Sequence, residues 1–301
     1  MTQTLGILQR RMKTVKELQD IVDTMKTMAS LNINTYEKVD VSLAVYFRVI
    51  ETAFCAMLRQ YPLASLVDRI KPHSGQVGLV IFGSDQGMVG QFNDSLVAAV
   101  AQEAPLQDTP CFVWCMGEKM GLKLQEAALP LTIRRLERVP DVASKITRLM
   151  ESMLLDIVAK QEKDGLAELL IFYNQAQPDG RYKPTVEQLL PLDTVWLQEL
   201  SKRPWPTNRF PEIIADDGTA WARFTEEYLF ITLCRACVGS IISENNSRLL
   251  VMQQASKNIE QTLGELTVEY HEERQILIDE ELFDILFGYV AAESKTGSGK
   301  T

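Results

Sequence analysis

SENNSRLLVMQQASKNIEQTLGELTVEYHEERQILIDEELFDILFG, residues 243–288, decides how the rest of the chain is read. It holds no proline, and Leu249, Met252, Ser256, Ile259, Leu263, Leu266 and Tyr270 follow one another at steps of three and four. That is heptad spacing, the mark of a helix that buries one narrow seam against another helix. Near the other end, Leu5, Leu8, Met12, Val15, Leu18, Val22, Met25 and Ala29 step in the same way. All twelve prolines fall between Pro62 and Pro211, so neither flank meets the residue that breaks helix interiors at a cost of about 3 kcal/mol. The spacing predicts one helix over 3–58 and a second over 219–288.

Between them the pattern changes. VGLVIFGS (77–84), CFVWCMG (111–117) and AELLIFYNQ (167–175) are short apolar runs closed by turn residues, with helical stretches at about 91–104, 117–127 and 141–163. LTIRRLE (131–137) and VEQLLPL (186–192) read as further strands. Strands alternating with helices predict a largely parallel, Rossmann-like α/β domain over 75–200, inserted between a helix at 1–60 and a helix at 212–290. Residues 291–301 read as a flexible tail.

Helix geometry then pairs the flanks. At 1.5 Å per residue the two helices would run about 80 Å and about 105 Å, against about 30 Å for a small domain, so each must bury its stripe on the other as an antiparallel coiled coil. From Leu5 to Lys38 six basic residues stand against four acidic ones; from Glu244 to Ile285 three basic stand against ten acidic. Such charges would select partner and register, while the apolar seam supplies the stability. The net charge of -9 argues against wholesale binding of nucleic acid. No run of about 18 apolar residues is present, and MTQTLGILQRRMKTVKELQD becomes charged too soon for a signal peptide, which predicts no direct membrane insertion. Cys55, Cys111, Cys115, Cys234 and Cys237 form an odd, sparse set that reads as reduced thiols.

Three stretches resemble the gamma subunit of rotary F-type ATP synthases. In ILQRRMKTVKELQDIVDTMKTMAS (7–30) the likeness lies at Arg11, Val15, Ile21 and Met25; GSDQGMVGQFN (83–93) is similar to the family's strand-end motif through Ser84, Asp85, Gly87, Gly90 and Asn93. The third stretch is 243–288, at Ser243, Glu244, Arg248, Met252, Ala255, Asn258, Tyr270, Arg274, Gln275, Ile278, Glu281, Leu282 and Ile285. Asp20 and Asp23 stand where the common bacterial pattern carries lysines, Val89 stands where it carries Cys, and the regulatory cysteine segment of the chloroplast form has no counterpart. The chain is similar to a divergent member, of an alternative or sodium-translocating complex.

The resemblance implies a central-stalk rotor shaft that couples ion flow to ATP synthesis or hydrolysis, with no catalytic, cofactor-binding or metal-binding group of its own. It implies as partners three alpha and three beta subunits, the epsilon subunit and the membrane rotor ring, and a peripheral place on the cytoplasmic face of the membrane. It places Met25 and Lys26 beside the beta subunits' lever and Arg274 and Gln275 against a beta-subunit loop. The residues alone allow blander readings: Met25 as core, and Arg274 as a charge paired with Glu281 on its own surface.

Other signals are weaker. TGSGKT (296–301) lacks the first glycine of a phosphate loop, since position 294 is Ser294. GSDQGMVG follows a strand and precedes a helix, but its glycines do not follow the dinucleotide pattern. CRAC (234–237) lies inside the second long helix, and with only His73 and His271 in the chain a zinc site is hard to assemble. The alternatives to a shaft are a coiled-coil scaffold or tethering protein with an α/β head, or a nucleotide-dependent enzyme.

Overall fold

The computed structural model describes residues 2–61, 63, 66, 75–103, 111–177, 180–205, 207–209, 212–214 and 216–297. In chain order they form α1 (Thr2–Gln60), β1 (Gln76–Phe82), α2 (Phe92–Glu103), β2 (Cys111–Met116), α3 (Glu118–Glu126), β3 (Leu131–Glu137), α4 (Ser144–Asp164), β4 (Leu166–Ala176), β5 (Tyr182–Leu190), α5 (Thr194–Lys202) and α6 (Asp217–Gly297). The proline-free flanks are thus helical. α6 continues past 291, where a tail is expected, because Ala291, Ala292, Glu293 and Lys295 favour helix and no proline interrupts it. Residues 298–301, the end of TGSGKT, lie outside the described residues.

The chain divides into two compact units, residues 29–251 and residues 1–28 with 252–301. In the larger unit the sheet order is β3-β2-β1-β4-β5, with the first four strands parallel and β5 antiparallel to β4. The central strands read as continuous apolar runs because both faces are covered. On one face Val77, Leu79, Ile81 and Phe172 pack against Phe92, Leu96 and Val100 of α2 and Met120 and Leu124 of α3. On the other, Val80, Phe82, Trp114 and Ile171 meet Met150, Met153 and Ile157 of α4 and Leu233, Cys237 and Ile241 of α6.

Two elements differ from the expectation for physical reasons. β5 begins at Tyr182 rather than 186, since Pro184 is tolerated in an edge strand, and it ends at Leu190 because Pro191 offers no N–H. α5 is absent from the sequence reading; Asp193 caps it by accepting from the Val195 N–H at 2.7 Å. It completes a third cluster in which Phe54 of α1 lies edge-on to Trp196 and Trp221, at ring-centroid distances of 5.5 and 5.8 Å. This cluster and the sheet's α6-covered face draw residues 29–60 and 217–251 of the long helices into the head. By length and composition α1 qualifies as a membrane-crossing helix, a property not foreseen from the search for an unbroken apolar run. Ile50, Phe54, Met57 and Leu58 from its apolar C-terminal part are buried in the head.

The smaller unit consists of two antiparallel helical segments, so whatever it buries is buried between them. On α6 the seam runs through Met252, Ser256, Ile259, Leu263, Leu266 and Tyr270, as the spacing predicts. On α1 it runs through Leu5, Leu8, Met12, Val15, Gln19, Val22 and Lys26. Leu18, expected in the seam, is 48% exposed, whereas Met25 is half-buried beside an equally half-buried Lys26. Strict alternation of three and four steps selects Gln19 over Leu18, and the apolar character of Leu18 does not override it. Lys26 turns its ammonium to Asp23 at 3.2 Å.

Candidate functional site

Open α/β sheets bind ligands outside the carboxyl ends of the strands, where the strand order switches direction. Here that point lies between β1 and β4, and α6 occupies it. Ser240 donates from Oγ to the carbonyl of Phe82 at 2.8 Å, Ser247 donates to the carbonyl of Val89 at 2.7 Å, and Gly239 lies against the ring of Tyr173. The nucleotide lure at 83–93 is consumed by internal bonds. The Ser84 hydroxyl donates to the Gln86 carbonyl, while Asn93 accepts from the Ser84 N–H at 3.0 Å and donates to Ser84 Oγ at 2.9 Å. Asp85 accepts from the Glu118 N–H through Oδ1 and from the Val139 N–H through Oδ2, both at 2.9 Å, tying the β1 end to the ends of β2 and β3. Met88 and Gly90 hold positive φ of 61° and 60°, with Gly90 close to Val251 and Ser247; Gly87 sits in open space. The side chains of Ser84, Asp85 and Asn93 are thus committed to bonds within the head.

One helical turn along α6, Glu244 and Arg248 form a buried ion pair at 2.5 Å, beside Asn245, which accepts from Asn32 of α1 at 3.2 Å. Burial pushes the Glu244 carboxyl above its ordinary range, and Arg248 offsets part of that rise. The motif residues Ser84, Asp85, Asn93, Glu244 and Arg248 are thus gathered into the anchor between α6, α1 and the end of β1. The cysteines lie in the core, where burial pushes the thiols of Cys115 and Cys234 up to about 12 and that of Cys237 well above its ordinary value. Among the described residues no three His, Cys, Asp or Glu side chains are grouped to hold a metal ion.

The residues expected to touch a partner belong to the smaller unit and are not brought together into a pocket. Met25 and Lys26 are half-buried, while Arg11, Arg274, Gln275 and Glu281 are exposed. Among the described residues Arg274 makes no ion pair or hydrogen bond, so the pairing with Glu281 does not form. Among the described residues the ion pairs of this unit, Lys13–Glu17 and Lys26–Asp23, both lie within α1. The cross-helix polar contact is neutral: Gln9 donates to the Tyr270 hydroxyl at 2.9 Å. Opposite charge on α1 and α6 therefore makes no direct bridge between these segments among the described residues. An outward apolar row, which the seam-directed reading missed, includes Ile7, Leu18, Ile21 and Met28. Its signal was present in the sequence as apolar residues at 7, 18, 21 and 28, offset from the seam.

The ATP synthase family model matches residues 4–292. The ATP synthase gamma chain of Nitrosomonas europaea is 25% identical over 94% of this chain and 98% of its own length; that of Geotalea daltonii is 23% identical over 98% and 99%. Among solved structures, a chain of the Euglena gracilis mitochondrial ATP synthase OSCP/F1/c-ring assembly in rotational state 3 superposes with a TM-score of 0.65 at 15% identity, covering 100% of this chain and 98% of that one. A chain of the same organism's rotor in rotational state 1 gives 0.63 at 16% identity, covering 92% and 100%. With the long helices, the five-stranded sheet and the 243–288 motif in place, the chain belongs to the ATP synthase gamma-chain family.

Proposed function

We propose that this chain is the central-stalk shaft of an F-type ATP synthase, turning inside a ring of three alpha and three beta subunits and coupling ion flow to ATP synthesis or hydrolysis there. The observation that carries the reading is the two-helix unit of residues 1–28 and 252–301, whose seam is internal and whose outer side keeps Ile7, Leu18, Ile21 and Met28 in solvent. Such a surface suits contact with other subunits. In this role Met25 and Lys26 face the beta subunits' lever, Arg274 and Gln275 meet a beta-subunit loop, and the apolar residues from Ile285 onward turn in a sleeve. The head engages the epsilon subunit and the membrane rotor ring, holding the chain peripherally at the cytoplasmic face. The filled switch point supports a subunit that contributes no catalytic group.

Co-expression with the neighbouring ATPase subunits tests this reading. The chain is expected in a complex with one copy to three of each large subunit. A chain that purifies only as a self-associated coil would instead be a scaffold, and one that turns over nucleotide alone would be an enzyme.

A further inference from the structure

Along α6 one row of inward positions repeats every seven residues as Val238, Asn245, Met252, Ile259 and Leu266, and Asn245 is its polar member, 4% exposed. The Asn245 carboxamide is oriented from its own helix: Nδ2 donates to the Ile241 carbonyl at 2.8 Å, and Arg248 Nη1 lies 3.5 Å from Oδ1. The same Oδ1 accepts from Asn32 Nδ2 of α1 at 3.2 Å. One turn along α1, the buried Tyr36 hydroxyl donates to the carbonyl of Pro140, in the connection from β3 to α4, at 3.1 Å. Gln9–Tyr270 and Tyr46–Glu227 also join α1 to α6, but both are exposed, so water replaces either at little cost. The apolar rows do not tell one register from the next. On α1, Ala29, Tyr36, Leu43, Ile50 and Met57 follow at sevens and are all buried or half-buried, so sliding the helix by one heptad exchanges apolar for apolar along the row.

We infer that Asn32, Asn245 and Tyr36 form a polar key that fixes the axial register of α1. A slide of one heptad sets Met25 opposite Asn245 and Asn32 opposite Val238, or else Val39 opposite Asn245 and Asn32 opposite Met252, and either slide withdraws Tyr36 from the Pro140 carbonyl. Each slipped register therefore strands an amide and a carbonyl that the native register pairs, the means by which one buried Asn sets register in a coiled coil. Such a slide moves α1 by about 10 Å along α6. The key thus also fixes the axial spacing of Met25 and Lys26 from Arg274 and Gln275. That spacing matters on the shaft reading, whereas the key itself stands without it.

Cysteine cross-linking in the free full-length chain tests this. Tyr46→Cys/Glu227→Cys reports the native register, in which the two side chains meet at 2.9 Å. Val39→Cys/Glu227→Cys and Ala53→Cys/Glu227→Cys report the two slipped registers, since a step of about 10 Å along the helix puts them beyond the roughly 7 Å between Cα atoms that a disulfide spans. Each pair is oxidised in the wild-type background, whose own cysteines are buried, and in Asn32→Leu/Tyr36→Phe/Asn245→Leu, and the disulfides are read by peptide mapping. Wild type should form the native disulfide in about a hundredfold excess over either slipped one. The key variant should lower that ratio about tenfold or more, because two buried hydrogen bonds no longer discriminate. It should still melt cooperatively, since apolar replacement of buried polar groups is often neutral or stabilising. A key variant that keeps the wild-type ratio overturns the key and assigns the register to side-chain packing; one that does not fold overturns it as well. Neither result touches the shaft reading, which assembly with the large subunits tests separately.

Discussion

Arg274 and Arg248 are both arginines on α6, and their surroundings give them opposite roles. Arg274 is exposed with no partner among the described residues, so its fork of donors is available to another subunit. Arg274→Ala should leave assembly intact and lower ATP turnover of the complex roughly tenfold, about 1.4 kcal/mol at the limiting step; loss of the complex would make Arg274 structural. Arg248 is buried against Glu244, and Arg248→Met should lower stability by about 3–5 kcal/mol, because it strands a buried carboxylate. The pH response follows from the direction of the Glu244 shift. A carboxyl raised in the fold holds its proton more readily folded than unfolded, so its contribution favours the fold at low pH and is lost as pH rises through the folded value. Removing Arg248 raises that value further. Thermal melts should therefore show a steeper loss of stability in Arg248→Met than in wild type between the ordinary carboxylate range and neutrality; parallel profiles would contradict this. Sequence motifs located Asp85, Asn93, Glu244 and Arg248, but not their bonds, since partners such as the Val139 N–H lie far off in the chain.

At the scale of elements, spacing proved more informative than residue type. The long helices were legible because proline is confined to 62–211 and the heptads persist over many turns. Leu18 was misplaced in the seam because it is apolar, although Gln19 holds the position that alternation requires. Gln19→Leu should accordingly stabilise the two-helix unit by about 1 kcal/mol, whereas Leu18→Gln should change it by less than about 0.5 kcal/mol while weakening association with partner subunits. The two effects separate in melts of the free chain and in assembly assays; equal destabilisation by Leu18→Gln would restore Leu18 to the seam. Leu263→Asp places a charge inside the seam and should abolish assembly, and a normal yield of complex would contradict the register. α5 escaped the reading because it is short and lies between Pro191 and Pro204, so too few turns were available to reveal a period. The charge contrast between the flanks was legible, but its meaning was not: no ion pair joins residues 2–28 to 252–287 among the described residues, and the excess acid faces outward.

For the molecule as a whole, the same α/β sheet that serves nucleotide binding elsewhere serves here as an anchor, its switch point closed by α6 and its faces covered by α2, α3, α4 and α6. The outside of the two-helix unit keeps Ile7, Leu18, Ile21 and Met28 exposed, a surface suited to contact with neighbouring subunits. The family could be read from the order of helices and the 243–288 motif, whereas the surfaces that meet partners depend on which face each helix turns inward. The most direct test attaches a bead to the head of this chain in the complex with its alpha and beta subunits held on a surface, and adds ATP. The account predicts stepwise rotation of the bead in one direction at the pace of ATP turnover; ATP hydrolysis that continues at full rate while this chain is cross-linked immobile to the ring would contradict it.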